Sequence, residues 1–218
     1  MGIGRREFLR LFGAGIAAAT NPAAAIAIFD NQYINRRLGI AFEKPNGWVF
    51  ADVKQMADVI AGQILDLDDV ELSRAIVESV ELPILTISKE EISADADRFM
   101  PGVTVYLERL TPDECADPDD VPPMARLERD VQSCKQILKD FTVTSDPAPA
   151  SVSACDAAEY EATFVFEHQN LRPTPVRMKT LAIDQRIALY TLRMYDSPYL
   201  GGDMTFNYRP FIESVRMV

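Results

Sequence analysis

The sequence predicts one domain of mixed strands and helices, and three observations predict it. Val103 to Leu110 alternates, with Val103, Val105 and Leu107 opposite Thr104, Tyr106 and Glu108, the pattern of a half-buried strand. Three further alternating segments, Tyr160 to Glu167, Val176 to Ile183 and Ile187 to Tyr195, crowd the last third of the chain. Two stripes at spacings of three and four residues mark helices: Val53, Met56, Ile60, Ile64 and Leu67, then Met124, Leu127, Val131, Cys134, Ile137 and Phe141. The 218 residues, 48% hydrophobic and 25% charged, supply one sizeable core, and no repeat or low-complexity tract marks a second domain.

The first helix starts near Asp52, an N-cap residue, and ends in the acidic turn Asp66 to Asp69. A further helix over Val70 to Val80 leads to LPILTIS at Leu82 to Ser88, read as a strand near an edge because of Pro83. Glu90 to Met100 is polar and reads as a loop. Pro122 and Pro123 fit the first turn of the second helix, which the stripe carries to about Asp140. Ser145 to Ser153, small and proline-containing, reads as a second loop. Arg177 and Lys179 are placed to face Glu161 or Glu167 across a ladder. Gly201 and Gly202 make a turn ahead of a C-terminal helix carrying Phe206, Phe211, Ile212 and Val215.

Near the start, Leu38 to Phe50 reads as a hairpin. Apolar alternation leads into Pro45, Asn46 and Gly47, and Trp48, the only tryptophan, opens the return strand. Trp48, with Pro45 and Gly47, is the expected structural anchor, since an indole ring buries a large apolar area.

The leader carries the most specific motif. Gly4 to Arg10, GRREFLR, resembles the twin-arginine export signal, with Arg5 and Arg6 as the pair, Phe8 and Leu9 at the apolar positions and Arg10 at the basic one. An uncharged stretch from Leu11 to Phe29 follows, and Ala23 with Ala25, or Ala25 with Ala27, offers A-x-A cleavage. Residues 1–27 are thus expected to be a signal peptide, 28–37 a connector and 38–218 the mature domain. Uncleaved, the stretch would reach about 28 Å as a helix, close to the hydrocarbon thickness, so retention as an anchor is the alternative. The motif implies the twin-arginine translocase as a partner, membrane contact only through the leader, and a periplasmic or otherwise extracytoplasmic bacterial address.

Formal charge is −11; without Arg5, Arg6, Arg10 and Glu7 the remainder holds 19 basic and 32 acidic residues, or −13. That disfavours nucleic acid and anionic membrane surfaces as partners. In an oxidising compartment three cysteines allow one bridge; Cys115 and Cys155, both in loop-like sequence, are the expected pair, with Cys134 left on a helical stripe.

The apolar strand with Pro45, Gly47 and Trp48, the central VTVYLERL, and the closing RIALYTLRMYD followed by FIESVRM resemble the Mog1/PsbP-like family over about Leu38 to Met217. The resemblance implies an α+β fold, a mainly antiparallel sheet sandwiched by helices, used by non-catalytic binding and assembly proteins. The chain departs from it where Asn170 to Pro173 replace the glycine often found before the penultimate strands, and it assigns no site residue.

Catalytic chemistry finds little purchase. His168 is the only histidine, no G-x-S-x-G elbow or phosphate-cradling glycine loop occurs, and the cysteine spacing does not suit zinc. The acidic loop with Asp113, Glu114, Asp117, Asp119 and Asp120 has the oxygen density for calcium but not EF-hand spacing, so neither metal nor cofactor is expected. The aromatic run Tyr195, Tyr199, Phe206, Tyr208 and Phe211 holds the candidate partner-binding residues, Tyr199, Phe206 and Tyr208, unless it is a core seam. Composition and motifs favour an exported binding or assembly module for a protein or small ligand over an extracytoplasmic enzyme or an inhibitor of a toxin-like partner.

Overall fold

In the computed structural model, the described residues are 26–29, 31–51, 59, 83–91, 99–109, 122–169, 171–185, 188–200 and 205–218. The export motif, the Val70 to Val80 helix, the Asp113 to Asp120 cluster and Cys115 lie outside them, and of the helix expected from Asp52 only Val59, which is helical, lies within. The chain divides into two compact units, Met1–Asn46 with Arg209–Val218, and Gly47–Tyr208.

The larger unit is built on seven strands: β4 (Val49–Phe50), β5 (Leu85–Ser88), β6 (Gly102–Arg109), β7 (Lys139–Val152), β8 (Cys155–His168), β9 (Leu171–Asp184) and β10 (Ala188–Asp196). They lie in the order β4-β5-β6-β10-β9-β8-β7, and every pairing is antiparallel. Helix α1 (Pro122–Ile137) opens on the two prolines, as expected, and packs on β7, β8 and β9. Its stripe of Leu127, Val131 and Cys134 meets Ala158, Tyr160, Ala162 and Phe164 of β8 and Val176, Met178 and Ala182 of β9. The other face is also buried, with Val103, Val105, Leu181, Ile183, Leu192 and Met194 at 2% exposure or less. Strand β6 keeps the expected alternation, with Val103 and Val105 buried and Tyr106 and Glu108 on the opposite face only partly so; Thr104 is the exception, buried on the polar side.

The smaller unit has β1 (Ile26–Phe29), β2 (Gln32–Asn35), β3 (Ile40–Glu43) and β11 (Arg216–Met217), in the order β1-β2-β3-β11, all antiparallel. Helix α2 (Tyr208–Ser214) brings Phe211 to 5.4 Å from Phe42, whose ring stacks on Tyr33 at 4.9 Å. The C-terminal helix is thus shorter than expected: Phe206 precedes it and Val215 follows it.

Three sequence expectations are corrected. The segment 28–37, expected to connect, contains the second half of β1 and all of β2. The Leu38 to Phe50 hairpin does not form: β3 pairs with β2 and β11, while β4 pairs with β5 in the other sheet. Gly47 still makes the turn, at φ +78 with no atom near its absent Cβ, so the backbone conformation alone calls for glycine there. The expected loop Ser145 to Ser153 mostly belongs to β7, which lies at the sheet edge; Pro147 falls in a shift of register between Ser145 and Ala148, and Pro149 stays in register with Ala158.

The β7–β8 turn places Ser153 at φ 52 and Ala154 at φ 65. Two positive φ values fit a two-residue hairpin turn that favours Asn-Gly, and both residues present are poor at it. Ser153→Asn with Ala154→Gly should therefore stabilise the protein by about 1 kcal/mol, read as a higher urea midpoint at unchanged slope. A lower midpoint would show that the turn is unstrained.

Candidate functional site

The end of β10 gathers the expected aromatic residues around one carboxylate. Asp196 and Arg177 are direct cross-strand partners, and Asp196 is fully buried. Arg177 donates from Nε to Asp196 Oδ1 at 2.9 Å and from Nη2 to Oδ2 at 2.6 Å, a bidentate fork. Asp196 Oδ2 also accepts the Phe206 backbone N–H at 2.7 Å, so the chain leaving β10 is gripped again ten residues later. Arg177 Nη2 reaches the Phe206 carbonyl at 3.3 Å, and its guanidinium lies 5.2 Å from the Tyr208 ring centroid. Tyr208 donates to the Arg177 carbonyl at 3.3 Å, and Ser197 to the Pro175 carbonyl at 2.6 Å. Burial first, then the Asp196 carboxylate, pushes the Tyr208 hydroxyl well above its usual range.

This clasp separates the three candidate partner-binding residues. Phe206 and Tyr208 are buried at 8% and 7%, Phe206 packing 4.5 Å from Trp48 and 5.1 Å from Tyr208. They serve as packing, so for Phe206 and Tyr208 the core-seam alternative holds and the partner-binding expectation is corrected. Tyr199 differs. It sits on a 3-10 turn, Pro198–Leu200, directly after the clasp, and is 65% exposed. Trp48, expected to plug the core, is only half-buried and rests against Phe206 instead.

A second polar cluster lies under α1. Asp130 is buried at 7%, accepts the Tyr160 hydroxyl on Oδ2 at 2.7 Å and pairs with Arg193 through Oδ1. Arg193 lies over the Tyr106 ring at 5.4 Å. Burial, reinforced by Asp130, pushes the Tyr160 hydroxyl well up. Nothing in the sequence singled out Asp130 or Arg193, although Asp130 falls between Leu127 and Val131 on the buried face of the helix.

Cys134, one turn along α1 from Asp130, is 4% exposed, and burial, then Asp130, pushes its thiol up to about 11. Because the folded value exceeds the unfolded one, this contribution is intact below about pH 9 and is lost as pH rises towards 11, on the order of 3 kcal/mol in full. In the folded protein Cys134 should escape alkylation by iodoacetamide at pH 8, as mapped by peptide mass, and react on unfolding. Rapid alkylation of native protein would contradict its burial. The expected Cys115–Cys155 bridge involves a residue outside those described.

His168 ends β8 with its ring stacked on Phe166, centroids 6.2 Å apart, and desolvation lowers its pKa. Lys179 bridges Glu159 at 2.9 Å and Glu161 at 3.3 Å, and Lys139 rather than Arg177 takes Glu167, at 2.5 Å. Among the described residues no three His, Cys, Asp or Glu side chains converge as for a metal, and no helix is long and apolar enough to cross a membrane.

No family model and no curated protein sequence matches the chain. Among solved structures, cyanobacterial PsbP from Synechocystis superposes at a TM-score of 0.54, with 12% identity, over 91% of this chain and 99% of that one. The fold is PsbP-like. LpqN, involved in cell envelope biogenesis of Mycobacterium tuberculosis, matches at a TM-score of 0.44 and 15% identity over 81% and 82% of the two chains. A Pseudomonas aeruginosa protein of unknown function matches at 0.34 and 12% over 45% of this chain and 60% of its own, so the chain spans less than two thirds of that protein. On the PsbP-like framework, the clasp and the Tyr199 turn lie where β10, next to β9, leaves the sheet.

Proposed function

We propose that the protein is an exported, non-catalytic binding module that captures a protein partner through Tyr199. One observation carries this reading: a ring 65% exposed on a short turn whose preceding residues, Asp196 and Ser197, are fully buried and hydrogen-bonded. A tyrosine held this way offers contact area at little cost in ordering, the property of an interface anchor. The groups with strongly raised pKa values around it and under α1 are engaged with one another: Arg177 with Asp196 and Tyr208, Tyr160 with Asp130. Such pairing supports structural rather than reagent roles.

The address rests on Arg5 and Arg6. Export through the twin-arginine translocase delivers folded protein, and the PsbP-like fold is compatible with an extracytoplasmic location. In an Arg5→Lys, Arg6→Lys variant the protein should stay in the cytoplasmic fraction; unchanged extracytoplasmic accumulation would refute this route. For capture, a photocrosslinking residue at position 199 should trap a discrete partner that the same residue at the exposed position 172 does not. Equal yields from both positions would count against Tyr199.

A further inference from the structure

The leader offers two places to cut, and strand β1 tells them apart. Ala23 with Ala25, and Ala25 with Ala27, each meet the A-x-A requirement, which would make Ile26 or Ile28 the first residue of the product. Strand β1 runs Ile26–Phe29, so the second cut falls in its middle and the first just ahead of it. The ladder with β2 is continuous: Ile26 faces Asn35, Ala27 faces Ile34, Ile28 faces Tyr33 and Phe29 faces Gln32. The β2 side of this ladder is well buried, with Tyr33 and Asn35 at 4% exposure and Ile34 at 8%. Asn35 is held further by its own side chain, which donates to the Tyr33 hydroxyl at 2.9 Å and accepts the Leu38 backbone N–H at 3.0 Å.

We propose that a signal peptidase hydrolyses the Ala25–Ile26 bond, so that the mature chain begins on the first residue of β1. Processing at this bond rests on export in the folded state, as proposed above, and is independent of partner capture by Tyr199. A chain that folds before crossing meets the peptidase with β1 already paired. The peptidase must seat the small residues at the first and third positions before the bond in its own cleft, which a strand already paired to a neighbour resists. Ala23 and Ala25 both precede the ladder, whereas Ala27 is inside it. A cut after Ala27 would require Ile26 and Ala27 to leave β2 first, and only the open fraction could react. It would also strip Ile34 and Asn35 of their β1 partners, whereas a cut after Ala25 keeps every pair. A third small pair, Ala17 with Ala19, would leave only Leu11 to Ile16 as the apolar core, shorter than the roughly 7 to 15 residues such leaders use. In the step, water adds across the peptide bond; Ala25 departs with a carboxylate and Ile26 keeps the nitrogen as an ammonium.

The test expresses the full chain in a bacterium that has the twin-arginine route and reads the extracytoplasmic protein by N-terminal sequencing and intact mass. A single species beginning at Ile26 is expected. Ala27→Val suits a strand but not the residue before a cut, so it should leave that first residue unchanged. Ala23→Phe, which spoils only the upstream pair, should leave the leader attached. A product beginning at Ile28, blocked processing in Ala27→Val with normal processing in Ala23→Phe, or exported protein that keeps its leader would each overturn the proposal while leaving export intact. Wild-type protein confined to the cytoplasm would refute export itself, and the processing site with it.

Discussion

Asp196→Ala is expected to lower stability by about 3 to 5 kcal/mol, the largest effect of a single polar substitution among the described residues. The carboxylate is fully buried and accepts three donors, two from Arg177 and one from the Phe206 backbone. Its removal strips a partly buried guanidinium of its counter-charge and leaves the buried Phe206 N–H without its acceptor, and a charge so stranded carries most of the cost. Asp196→Asn, which retains an acceptor for Phe206 but not the ion pair, should fall between wild type and alanine. Urea denaturation of the three proteins gives the ranking. Equal midpoints would mean that the clasp is water-accessible and the Tyr199 turn is not held by it.

Asp130→Ala is expected to cost about 2 to 4 kcal/mol, slightly less because the Asp130 carboxylate holds fewer donors than Asp196, the Tyr160 hydroxyl on one oxygen and Arg193 on the other. Tyr160→Phe, which deletes one hydrogen bond and leaves the other Asp130 oxygen paired, should cost about 1 kcal/mol. The double variant Asp130→Leu, Arg193→Met replaces the pair by apolar groups of similar volume, and much of the loss should be recovered. Recovery separates a stranded charge from damage to packing. A double variant as unstable as the sum of its parts would show that Asp130 and Arg193 contribute independently and that no stranded charge explains the loss.

Several of these features were legible in the sequence. Alternation gave the core positions of β6, β8, β9 and β10, and the spacing of Leu127, Val131 and Cys134 placed the buried face of α1. Pairing was not legible. The Pro45-Asn46-Gly47 turn signals only that the chain reverses, and turn chemistry carries no information on which strand each flank meets. For β7, the prolines that suggested a loop are compatible with an edge strand, whose outer backbone groups need no ladder partner. The Arg177–Asp196 clasp depends on a register set by tertiary structure, although both residues lie in segments read as strands. Phe206 and Tyr208 look the same as Tyr199 in sequence; only the clasp, by drawing the first two inward, tells them apart.

We propose that this chain binds through Tyr199 and does no chemistry with His168. Co-purification from the extracytoplasmic fraction, with wild type, Tyr199→Ala and His168→Ala at matched stability, tests it most directly. Tyr199→Ala should weaken partner capture by about 1 to 2 kcal/mol, roughly tenfold, while His168→Ala leaves it intact. Loss with His168→Ala and full retention with Tyr199→Ala would contradict the account.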